Sequence, residues 1–130
     1  MGKVTGLAHI GIKIKDLAAS KDFYMNKLGF VQDDENHLDG GMVLCFLSKG
    51  NCLLELICPP VAQELGGKPI VDHVCMEVED IDSLVAELKE KGIEFEGEVS
   101  YSPVIRGGIK NIFFCGPDGE RIEFFDYLKK

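Results

Sequence analysis

A chain of 130 residues holds about one domain, enough for a single well-buried core. Apolar residues make up 45% of it and charged residues 28%, a folded globular mixture and not a disordered one. A net charge of -8 opposes unspecific binding to nucleic acid or anionic lipid, whose phosphates carry the same sign.

The opening residues lack the apolar run of a signal peptide, and no stretch approaches the length of a membrane span. From Leu7 to Ile14 the sequence alternates, with Ala8, Ile10, Ile12 and Ile14 on one face and His9, Gly11 and Lys13 on the other. This predicts a strand whose aliphatic face packs on a helix. Asp16 is placed to cap that helix, which carries Leu17, Phe23, Tyr24 and Leu28 and stops at Gly29. His37, in an acidic stretch, is expected to face water. Gly40-Gly41 leads into a strand predicted over 42–47, and the turn Ser48 to Asn51 leads into a second over 52–57. Residues 59–69 are rich in Pro and Gly and read as a linker.

The second half repeats this order. His73, Cys75 and Glu77 alternate with Val74, Met76 and Val78. Asp80 is placed as the cap of a helix with the stripe Ile81, Leu84, Val85 and Leu88, ended by Gly92. Gly107-Gly108 precedes strands predicted over 109–115 and 121–127, joined by the turn Gly116 to Gly119.

Set in register, His9 falls on His73, Asp16 on Asp80 and Lys27 on Lys91. A slip of one residue then brings Leu28-Gly29-Phe30 onto Lys91-Gly92-Ile93. Each half ends on an apolar strand broken by one glutamate, Glu55 or Glu123. The expected architecture is α+β: a single domain over 1–130 made of two βαβββ modules, 5–58 and 70–128, paired about a pseudo-twofold axis with 59–69 between them. Such pairing would bring His9, Glu55, His73 and Glu123 together. Two imidazoles and two carboxylates suit one divalent ion: zinc, nickel, cobalt, iron or manganese.

Blander roles exist for each residue alone. A strand histidine is often a hydrogen-bonded structural residue, and a strand glutamate can guard an edge against aggregation. Yet Glu55 and Glu123 stand among Leu, Ile and Phe, where an uncompensated buried carboxylate costs several kcal/mol. Duplication of both residue types favours the metal. The five cysteines, Cys45, Cys52, Cys58, Cys75 and Cys115, are odd in number and lack C-x-x-C spacing. They read as buried free thiols, with Cys115 at the edge of its segment, in a reducing cytoplasm.

His9 with its following glycine and isoleucine, Asp16-x-x-x-Ser20-x-x-Phe23-Tyr24-x-x-x-Leu28-Gly29-Phe30, and Phe114-x-x-Pro117-Asp118-Gly119-x-x-Ile122-Glu123 resemble the vicinal-oxygen-chelate superfamily. That group contains glyoxalase I, extradiol dioxygenases, methylmalonyl-CoA epimerases and bleomycin-resistance proteins. The ligand order His, Glu, His, Glu is similar to short bacterial glyoxalase I, whereas methylmalonyl-CoA epimerases carry Gln where this chain has Glu55. The resemblance implies a homodimer with metal sites shared between subunits, one nickel or cobalt ion per site (zinc being the other candidate), and a small-molecule substrate. It implies lactoylglutathione-lyase chemistry: a hemithioacetal of a 2-oxoaldehyde becomes a 2-hydroxyacyl thioester through an enediolate. Glu123 is the principal base by resemblance; the residues themselves do not rank it against Glu55. Lys13 and Arg106 are the substrate-binding candidates. Departures from the glyoxalase pattern, Lys13 in place of Arg and Cys58-Pro59-Pro60 in place of Asn, leave two rivals standing. One is an epimerase or lyase acting on an α-hydroxy or α-keto acid, and the other is a non-catalytic binding or resistance protein.

Overall fold

A computed structural model of the chain describes residues 2–61, 71–115 and 121–129. The chain folds as α+β, mostly strand with few helices, in the predicted order. The first series is β1 (Lys3–Lys13), α1 (Leu17–Lys21) running into a π-helical stretch (Asp22–Lys27), β2 (Val31–His37), β3 (Val43–Lys49) and β4 (Cys52–Cys58). The second is β5 (Val71–Glu79), α2 (Ile81–Glu90), β6 (Phe95–Ser102), a 3-10 turn (Ile105–Gly107), β7 (Ile109–Cys115) and β8 (Arg121–Tyr127). The turn expected at Gly116 to Gly119 lies outside the described residues, as does most of the linker. Two compact units divide inside β1: His9–Asp72 form one, and the residues before His9 and after Asp72 form the other.

Within His9–Asp72, β1 pairs in parallel with β4, and β4–β3 and β3–β2 are antiparallel. The other unit copies this plan: β5 is parallel to β8, and β8–β7 and β7–β6 are antiparallel. Thr5 Oγ1 donates to the Glu77 carbonyl at 3.1 Å, holding the start of β1 beside β5. One face of each sheet carries the helix. Ile81, Leu84 and Val85 of α2 bury against Val78, Ile112, Phe114 and Phe124, the stripe read from the sequence. In the first unit Leu17, Tyr24 and Met25 pack on Ile12, Ile14, Cys45, Leu47 and Leu56.

Three expectations need correction here. The first helix is expected to carry Leu17, Phe23, Tyr24 and Leu28 in a less regular pattern than the second; of these Phe23 and Leu28 are exposed, and Met25 packs inward. The cause is the π-helical stretch, whose wider turn rotates the side chains out of the α-helical phase. That stretch also absorbs the one-residue surplus seen in the repeat, so both helices end on a glycine with positive φ, Gly29 (82°) and Gly92 (94°). Asp80 does not cap α2 as Asp16 caps α1. Asp16 accepts from Ala19 N at 3.0 Å, whereas Asp80 sits in the left-handed region (φ 53°) and makes no side-chain cap bond. The Asp126 carboxylate takes over, accepting from Ile81 N at 3.0 Å. The cysteines are all free, but only Cys45 and Cys75 are buried; Cys52 and Cys58 are half-buried and Cys115 is exposed, being the last residue of β7.

Candidate functional site

The face of each sheet turned away from its helix carries the repeated histidine and glutamate. In the first unit Glu55 pairs in register with Gly11, and His9 stands two residues earlier on the same face of β1. In the second, Glu123 pairs with Cys75, and His73 again stands two residues earlier. A diagonal pair of this kind is within reach of long side chains. His9 Nε2 lies 3.3 Å from Glu55 Oε1, and His73 Nε2 lies 2.9 Å from Glu123 Oε1. Relative exposure is 0% for His9, 4% for Glu55, 5% for His73 and 3% for Glu123.

The donor set of each pair fits a divalent ion. Ligand atoms about 2.0–2.2 Å from a cation stand about 2.9 Å apart at a right angle and about 3.4 Å apart at a tetrahedral one. The two separations in the structure, 3.3 and 2.9 Å, lie close to those values. The same distances would suit an imidazole N–H donating to a carboxylate. Charge separates the two readings, because a neutral imidazole leaves its buried carboxylate uncompensated and a cation does not.

Further side chains support each pair that the sequence alone did not disclose. Phe46 and Phe113 are the register partners of Glu55 and Glu123 on the adjacent strands. Each ring packs edge-on against the histidine of its own unit, Phe46 on His9 at 5.6 Å and Phe113 on His73 at 5.5 Å between centroids. The Arg121 guanidinium stacks 3.8 Å over the Phe113 ring. Asn111 Nδ2 donates to Glu123 Oε2 at 2.9 Å. The two phenylalanines hold equivalent places opposite the two glutamates, a correspondence legible only once strand register is known.

The two substrate-binding candidates lie apart from their unit's pair in different ways. Lys13 shares the His9 face of β1, four residues on, and its ammonium is 3.2 Å from Asp72 Oδ1. Arg106 occupies the 3-10 turn with φ 50°, and its guanidinium faces the Tyr127 hydroxyl at the far end of β8 from Glu123. Buried Cys75, Ile109 and Phe125 form a cluster against which Ile105 and Tyr127 pack. Burial pushes the Tyr127 hydroxyl up to about 12, so it stays neutral at physiological pH. His37 is exposed as expected, yet its ring is 2.8 Å from Glu35 Oε2, and Lys21 binds the other oxygen of that carboxylate.

Comparison with known proteins gives a consistent picture. Residues 6–124 match the family described as Glyoxalase/Bleomycin resistance protein/Dioxygenase superfamily. The "Ethylmalonyl-CoA/methylmalonyl-CoA epimerase" of Cereibacter sphaeroides is 34% identical over 119 residues, spanning 85% of this chain and 87% of that protein. "Uncharacterized protein YwkD" of Bacillus subtilis is 32% identical over 123 residues, spanning 91% and 94%. Among solved structures, methylmalonyl-CoA epimerase from Mycobacterium tuberculosis superposes with a TM-score of 0.77 at 22% identity, covering 95% of this chain and 88% of that one.

Proposed function

Because this chain belongs to the glyoxalase/bleomycin resistance/dioxygenase superfamily, we propose that it is a metal-dependent epimerase that moves a proton at the carbon next to a carbonyl. The observation that carries this is the pair of buried His–Glu sets at equivalent register positions, His9 with Glu55 and His73 with Glu123. In this reading His9, Glu55, His73 and Glu123 would together hold one divalent ion. When bound, the ion supplies Lewis-acid stabilisation for negative charge on the carbonyl oxygen.

The residues of the chain do the rest. His9 and His73 act as neutral imidazole donors, their rings held by Phe46 and Phe113. Glu55 and Glu123, one from each half, would serve as the acid–base pair on the two faces of the reacting carbon. One carboxylate takes the α-proton and becomes a carboxylic acid; the other, entering protonated, delivers its proton to the opposite face and leaves as carboxylate. The configuration is inverted and the active-site proton count is conserved. The epimerase names of relatives such as the Cereibacter sphaeroides protein support a 2-substituted acyl thioester as the substrate class.

A second reading, glyoxalase I chemistry, is favoured by one residue. Glu55 is a carboxylate where, by resemblance, methylmalonyl-CoA epimerases carry Gln, and "Glyoxylase I 4" of Arabidopsis thaliana is 26% identical over 129 residues. The same two bases would then move a proton between neighbouring carbons. The test is incubation of the metal-loaded protein in deuterated water with one C2 epimer of methylmalonyl-CoA, alongside hemithioacetals of methylglyoxal with several thiols. Deuterium at C2 with conversion to a mixture of the two C2 epimers is the expected result; thioester formation from a hemithioacetal would support the second reading, and turnover of neither would overturn both. Mixing chains carrying His9→Ala with chains carrying Glu123→Ala tests the subunit-shared site, since regained turnover requires the two sets to come from different copies.

A further inference from the structure

We propose that Arg121 is a positioning residue whose guanidinium, acting through the Phe113 ring, sets the orientation of the His73 imidazole. The inference rests on the metal-binding reading above and lies within the compact unit that holds His73 and Glu123. One row of register partners crosses its sheet: Glu96 on β6, Phe113 on β7, Glu123 on β8 and Cys75 on β5. Register partners share a face, as do residues two apart on one strand, so His73 and Arg121 project to the same side as this row. From β8 the Arg121 side chain crosses β7 diagonally. Its Cζ lies 3.8 Å from the Phe113 ring centroid and its Nη2 lies 3.4 Å from Glu96 Oε1. The Phe113 ring in turn stands at 87° to the His73 ring, with 5.5 Å between centroids.

An imidazole turns broadly about its outer side-chain bond, so its nitrogens are aimed by whatever surrounds the ring. His73 Nε2 is aimed at Glu123 Oε1, 2.9 Å away. Rotation of either aromatic plane would lose the perpendicular contact between them. Phe113 is only half-buried, so the protein interior holds its ring in part. The guanidinium adds a cover on the ring face, close to the best carbon–carbon separation, and Glu96 anchors that cover from β6. Partners of this kind, outside the ligands themselves, orient a metal-binding histidine and are felt in metal affinity. The charge of Arg121 by itself acts the other way. A fixed cation opposes a second cation nearby, so loss of charge alone would tighten metal binding. Orientation and charge therefore predict effects of opposite sign.

The experiment takes two measurements on the full-length chain. One is the proton–carbon NMR peaks of the His73 ring in metal-free protein, assigned by their loss in His73→Gln. The other is cobalt(II) affinity by chelator competition. Arg121→Gln removes the guanidinium and keeps most of the side-chain length. It is expected to move the His73 ring peaks and to weaken cobalt binding by about 2–5-fold, the size of an exposed cation–π contact. In a Phe113→Leu background the same substitution is expected to change neither further, because the ring that transmits the effect is gone. Unmoved peaks, wild-type or tighter affinity in Arg121→Gln, or an effect that persists in the Phe113→Leu background would each overturn the role of Arg121 alone. Absence of cobalt binding by the wild type would overturn the metal reading and this proposal with it. If Phe113→Leu fails to fold, Arg121→Lys, which keeps the charge and loses the planar group, decides the matter. Moved peaks with weaker binding then support the stack, and wild-type values for both contradict it.

Discussion

Glu55 and Glu123 are each less than a twentieth exposed, and their removal separates charge from shape. Glu55→Gln and Glu123→Gln keep the volume and lose the base, so each is expected to lower turnover by about 10²–10⁴-fold in a steady-state assay. A variant that kept full activity would remove that glutamate from the proton path. Glu35 offers a different test, because it lies outside the proposed chemistry. The side-chain contacts from Lys21 and His37 hold its carboxyl below the usual value of 4.5. A depressed folded value contributes stability that is present above 4.5 and lost as the pH falls through the folded value. Glu35→Gln should therefore melt lower than wild type at pH 7, with the gap in Tm closing on acidification below 4.5. A gap that is constant with pH would mean that the carboxylate charge contributes nothing. Residues were the scale at which the sequence was most informative for the candidate ligands and least informative for the side chains around them. His9, Glu55, His73 and Glu123 declared themselves by repetition, whereas Asn111 and Phe113 matter through cross-strand neighbours that one-dimensional order does not display.

Helices and strands follow local rules where side chains act on their own turn. Asp16 accepts from Ala19 N three residues on, so Asp16→Ala is expected to cost about 1 kcal/mol in urea denaturation. Asp80→Ala should cost less, because its carboxylate makes no cap bond, and Asp126→Ala should carry the loss for α2 instead. Equal costs at positions 16 and 80 would contradict this division. The sequence could not show the exchange, because Asp126 is 45 residues from Ile81. The π-helical stretch was half legible: the repeat slipped by one residue, but only the backbone shows that the surplus sits inside the helix and turns Phe23 and Leu28 outward. The edge strands of the two units are alike in another way. Both β2 and β6 are broken in register, between Gln32 and Asp34 and between Glu96 and Ser100, and both are rich in acidic residues. Irregularity and charge together discourage pairing with another sheet edge.

At the scale of the whole molecule, the duplicated βαβββ order was legible because a strand, a capped helix and a terminal glutamate strand recur in the same sequence. Among the described residues, no helix is long and apolar enough to cross a membrane. Pattern alone ranked glyoxalase I chemistry ahead of an epimerase, because Glu55 is a carboxylate where epimerases are expected to carry Gln; the relatives named as epimerases support the reverse order. Metal binding should couple to folding as well as to activity: a ligand present at about 100 times its Kd stabilises the native state by about 2.7 kcal/mol. Chelation is thus expected to lower Tm, and restored ion to raise it again; an unchanged Tm would argue against a tightly held ion. The most direct test is the metal content of purified wild type, His9→Ala and His73→Ala chains, each loaded with nickel or cobalt and freed of excess. One ion per wild-type chain, lost in both variants, is the predicted result. Two ions per chain, or an ion retained after either histidine is removed, would contradict a single centre served by both halves.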